Sequence, residues 1–87
     1  MDASDIERQL RAESFGHVFT WTDGPGAVYP PHTHAGLSAH VVLSGEIAIT
    51  TDDGTVTYRP GERFDVPAGQ VHAARIGPAG CRYVVGE

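Results

Sequence analysis

From Gly16 onward, glycine and proline recur at intervals of roughly eight to twelve residues, which leaves no room for a long helix. Eleven glycines and six prolines in 87 residues could also mean low complexity. The stretches between them argue otherwise, because their apolar residues alternate. In His17–Thr22, Val18, Thr20 and Thr22 fall on one face of an extended chain, and Phe19 and Trp21 on the other. Similar runs cover Leu37–Leu43, Glu46–Thr51, Thr55–Tyr58, Arg63–Val66, Val71–Ile76 and Cys81–Val85, with a short extended piece at Ala27–Tyr29. Turns are expected at Asp23–Gly26, Ser44–Glu46, Asp52–Gly54, Arg59–Glu62, Pro67–Gln70 and Gly77–Gly80. Seven or eight short strands at this spacing predict an all-β sandwich or barrel, closed to limit free edges.

The one helical signal lies at the amino terminus. Ser4-Asp5-Ile6-Glu7 reads as a capping box with Ser4 as N-cap, and Ile6 and Leu10 share a face. This predicts a helix over Asp5–Glu13, within an extension 1–15 that precedes a single barrel domain, 16–87. The helix is expected to pack across one end of the barrel or to mediate self-association.

Charge and composition exclude several function classes. The net charge is −5 and all six cations are arginines, scattered along the chain. No basic face is available for a phosphate backbone, so nucleic acid is not an expected partner. The amino terminus has no basic-then-apolar leader and no apolar run approaches ~20 residues, so the expected location is cytoplasmic, with no membrane partner. The single cysteine, Cys81, forms no internal disulfide and is expected to be packed. No phosphate-binding glycine loop, G-x-S-x-G motif or paired carboxylates for glycoside chemistry are found.

What remains is histidine. His32 and His34 are one residue apart and share a face in an extended chain, so together they can chelate a metal ion. The surrounding register makes this pair specific. Gly26, five residues, His32-Thr33-His34 and then Gly45 resemble the first motif of the cupin superfamily. Gly61, Pro67-Ala68-Gly69 and His72 resemble the second motif, at matching spacing, with the short interval Glu46–Pro60 between them.

A small single-domain bacterial cupin implies a double-stranded β-helix, or jelly-roll barrel. The resemblance brings His32, His34 and His72 together as metal ligands. The ion implied is a divalent transition metal: Zn, Mn, Fe, Ni or Cu.

The chain departs from the family pattern at two positions. The glutamate slot holds Ser38 and the asparagine slot holds Ile76. Without the carboxylate the three-histidine set is neutral, and a divalent ion there would keep its full charge and favour anionic ligands. His40 lies on the same face two residues farther on, about 6.6 Å along the strand. It is a candidate fourth ligand, an acid–base group beside the metal, or a hydrogen-bonded core histidine. His17 fits no motif and reads as a strand-surface or barrel-end residue. Phe19, Trp21, Tyr29, Phe64 and Tyr83 are expected in the core or pocket wall. Arg63 and Arg75 either reach the pocket mouth or lie on a solvated face.

Three functions follow from the resemblance: a metal-dependent enzyme of dioxygenase, isomerase or lyase type acting on a small oxygenated or anionic molecule, a module that binds or senses a small molecule, or a chemically idle barrel. A small-molecule ligand and a homodimer are the expected partners.

Overall fold

The computed structural model describes residues 2–87, with one helix and a sheet of six strands. The expected fold class, an all-β barrel with a short amino-terminal helix, is the one observed.

Helix α1 spans Ala3–Ala12. Its N-cap is Asp2, not Ser4: the Asp2 carboxylate accepts the Ser4 N–H at 2.8 Å. A carboxylate at this position satisfies a free helical N–H and also faces the positive end of the helix dipole. The expected capping box is therefore not formed, and Glu7 accepts a hydrogen bond from the Thr20 hydroxyl at 2.8 Å. The helix stops through paired bonds from Ser14 N–H to the Arg11 carbonyl and from Phe15 N–H to the Leu10 carbonyl, with Ser14 left-handed at φ 76°. That is a Schellman ending with serine where glycine is usual.

The strands are β1 (Val18–Asp23), β2 (Val28–His32), β3 (Ser38–Thr51), β4 (Gly54–Tyr58), β5 (Arg63–Val66) and β6 (His72–Gly86). Two of the expected turns do not exist. Ser44–Glu46 and Gly77–Gly80 lie inside the long strands β3 and β6, which pair antiparallel along almost their whole length. The register shifts between Val42 and Ser44 and again between Gly45 and Ile47. These shifts are bulges, which bend a strand without ending it. The chain cannot place a side chain here: Gly45 has φ +73°, and a Cβ on it would meet the Gly80 carbonyl oxygen at 1.9 Å.

The bend gives the barrel its two walls. On one side of it, β1 and β5 flank the Cys81–Gly86 and Ser38–Val41 ends of the long pair. On the other, β2 and β4 flank the His72–Arg75 and Ile47–Thr51 ends. Val42, Ile47, Ile49, Phe64, Ile76 and Val85 pack between the walls. A second cluster, Leu10, Ala39 and Val84, is fully buried under α1, with Ile6, Phe15, Val18 and Leu43 around it. Cys81 is buried as expected, and burial pushes its thiol up to about 11. No helix among the described residues is long and apolar enough to cross a membrane.

Candidate metal centre

His32 ends β2 and His72 begins β6, and the strand register sets them directly opposite each other. His34 lies just beyond β2, where the chain has left the ladder. The loop of the second motif holds it there: Gly69 donates its N–H to the His34 carbonyl at 2.9 Å, with Gly69 itself at φ +77°. The two motifs, far apart in sequence, are thus joined by a backbone bond beside the histidines they carry.

The result is a compact triad. Ring centroids are 4.8 Å apart for His32 and His34, 4.2 Å for His32 and His72, and 5.0 Å for His34 and His72. One ring nitrogen from each lies within 4.8 Å of the others. The triad runs from exposed His34 through half-buried His32 to buried His72.

The backbone also sets which nitrogens are free. His32 Nδ1 lies 2.7 Å from the Pro30 carbonyl oxygen, and His72 Nδ1 lies 3.0 Å from the Gln70 carbonyl oxygen. A carbonyl can only accept, so each Nδ1 carries the proton, and in the neutral ring Nε2 is then the atom that keeps the lone pair. This is the arrangement that orients metal-binding imidazoles in general. Partial desolvation beside the other rings, together with neighbouring His32 and His72, lowers the pKa of the otherwise exposed His34 and favours its neutral form. Three neutral nitrogen donors on one spot fit a divalent transition ion, with positions left open for a further ligand.

His40 is not part of this cluster. It is stacked on Phe64 with centroids 4.4 Å apart and planes 11° from parallel, and Phe64 stacks in turn on Tyr58. Burial lowers its pKa to about 4, so it is neutral at pH 7. Its Nδ1 is sealed from solvent, and the Phe64 backbone beside the ring partly offsets the lowering; Ser38 Oγ in the glutamate slot is sealed from solvent as well.

Both residues line a cavity of about 450 Å³ that the three histidines also line. The expected aromatic wall is present, with Phe19, Trp21, Tyr29, Phe64 and Tyr83 all facing this space. Arg63 does not reach the cavity; Glu13 and Asp65 hold it at 2.8 and 2.9 Å, across the helix end and β5. Arg75 does not line it either. His17 is exposed and pairs with Glu87 at 3.0 Å.

One residue escaped the sequence reading altogether. Asp23 had the composition of a turn, yet its carboxylate accepts hydrogen bonds from Tyr29 at 2.7 Å, Tyr83 at 2.6 Å and the Trp21 indole at 3.1 Å. It fixes three of the five aromatic side chains of the wall. Burial and the bond to Asp23 both raise the pKa of Tyr83, so its proton stays on.

A family model described as a cupin domain matches residues 19–85. Among solved structures, a protein of unknown function from Rhizobium leguminosarum is 28% identical, with a TM-score of 0.73, over 78% of this chain and 64% of that one. The polyketide cyclase RemF from Streptomyces resistomycificus is 30% identical, with a TM-score of 0.69, over 78% of this chain and 50% of that one. A cupin-2 domain protein from Shewanella frigidimarina shares the fold at 21% identity and a TM-score of 0.70, over 80% of this chain and 67% of that one. The chain thus spans between half and two thirds of the length of these structures. No curated protein sequence matches it.

Proposed function

We propose, from the premise that this chain belongs to the cupin domain family, that it is a metal-binding cupin acting on a small oxygen-bearing molecule. His32, His34 and His72 hold one divalent transition ion, and the cavity behind them receives the molecule. The observation that carries this reading is the pair of carbonyl contacts at 2.7 and 3.0 Å to Nδ1 of His32 and His72, which in the neutral rings assigns the proton to Nδ1 and the lone pair to Nε2.

When bound, such an ion polarises a carbonyl or activates water. The chain's own residues do the rest. Pro30 and Gln70 orient the imidazoles through their carbonyls, and Asp23 fixes the tyrosines of the aromatic wall. RemF, which carries the name of a polyketide cyclase, supports an enzymatic role more than a purely sensory one. The alternative is a non-catalytic binding module with the same site.

Metal analysis of the purified protein after reconstitution with zinc, manganese, iron, nickel or copper tests the reading. One ion per chain is expected for the wild type and almost none for His72→Ala. If wild type and His72→Ala bind equally, the triad is not the metal site.

A further inference from the structure

We infer that Glu87 is the charge-balancing carboxylate of the metal centre: the end of β6 supplies the acidic group that β3 lacks at Ser38. The inference rests on the reading of His32, His34 and His72 as the metal site and adds a residue that neither motif contains.

The strand register carries the argument. β3 and β6 pair Ala39 with Gly86 and His40 with Val85, and one further step along this antiparallel ladder sets Ser38 opposite Glu87. On its other side β6 takes the same step against β1: Glu87 donates its N–H to the His17 carbonyl at 2.9 Å and accepts the His17 N–H at 3.0 Å. Directly opposite residues share a face, with Cβ atoms about 5 Å apart. Alternation along β6 gives the same face, since Tyr83, Val85 and Glu87 all line the cavity with the three histidines. The carboxylate has thus moved sideways by one strand without leaving the cavity face.

Charge singles it out within the site. Three neutral imidazoles, with Nε2 of His32 and His72 as donor atoms, leave a divalent ion its full charge. Among the described residues, Glu87 is the only acidic side chain lining the cavity, and no lysine or arginine lines it. Its charge acts on the His34 ring. The side chain is about half exposed, which places it at the mouth, where its carboxylate rests on His17 Nδ1 at 3.0 Å, outside the tight cluster of ring nitrogens. Its part is therefore to balance the charge of the ion and to face water or a ligand in the open positions. With Glu87 the loaded centre carries one net positive charge instead of two, and favours neutral or singly charged oxygen ligands over multiply charged anions.

Calorimetric zinc titration of the wild type and three variants tests this. In Glu87→Gln, which keeps the shape and removes the charge, zinc is expected to bind about tenfold more weakly. Asp5→Asn removes an equal charge from α1, on the other side of the sheet, and is expected to leave the affinity within about twofold of wild type. His17→Ala removes the partner that the carboxylate rests on and is expected not to weaken zinc binding.

Equal affinity in Glu87→Gln and wild type overturns the inference and leaves the triad standing as the metal site. Equal weakening in Glu87→Gln and Asp5→Asn, or in Glu87→Gln and His17→Ala, also overturns it, because overall charge or the pair at the mouth would then account for the effect. A wild type that binds no zinc removes the metal site and the inference with it.

Discussion

Along Ser38–Val42 the two faces of β3 are filled to different degrees. The outer face meets α1, where Leu10, Ala39 and Val84 are fully buried and Glu7 ties the helix to Thr20. The inner face carries Ser38 and His40, two polar side chains, and lines a cavity. One strand therefore separates a surface built for packing from one that lines a cavity with polar side chains. Polar groups lining a cavity contribute little to packing, and departures from a well-packed apolar core are expected at functional sites. The comparison assigns stability to the helix side and chemistry to the cavity side.

The largest expected effect sits on the packed side. Leu10→Ala should cost about 3 kcal/mol, the usual cost of emptying a well-packed aliphatic site. Denaturant unfolding measures it, and metal bound per folded molecule should not change. A loss of metal together with stability would break the division between the two faces.

A comparable effect is expected on the cavity side, through pH. His40 has its folded pKa lowered to about 4, against about 6.5 in an unfolded chain. Between those values the unfolded state binds more protons, so stability is full above pH 6.5 and is lost as pH falls toward 4. The loss amounts to about 3 kcal/mol. Unfolding of metal-free protein across this range should show the slope, and His40→Phe should flatten it. An unchanged slope in His40→Phe would move its origin elsewhere.

The smallest effect sharpens the picture of α1. Ser14 is left-handed at φ 76°, a conformation that costs an L-residue about 1 kcal/mol or more. Ser14→Gly should therefore raise stability by about 0.5 kcal/mol, after glycine's own entropy cost. Calorimetry of thermal unfolding reads this, and a fall in melting temperature would show that Ser14 makes a contribution beyond its backbone.

The site was more legible in the sequence than the strand plan around it. Histidines and glycines at fixed spacing name their positions directly, and the triad forms from the residues that the spacing singled out. Gly45 and Gly77–Gly80 misled because a glycine cluster signals both a turn and a bulge, and only the partner strand decides between them. The helix cap moved from Ser4 to Asp2 because both residue types can cap and they lie two residues apart. Asp23 gave no signal at all. Its role depends on Tyr29 and Tyr83, which reach it from other strands, and no local pattern encodes that meeting. His40 was visible as an inward histidine, but its stacking on Phe64 is a tertiary contact.

The central claim is that Nε2 of each of His32 and His72 faces one metal ion while the backbone holds Nδ1. Nitrogen-15 spectra of the histidine rings during zinc titration test it most directly. The expected result is saturation at one equivalent, with the Nε2 signals of His32 and His72 shifting to metal-bound values. Their Nδ1 atoms should stay protonated, and His40 should keep a free ring. Coordination through Nδ1, or histidine signals that do not respond to zinc, would contradict the account.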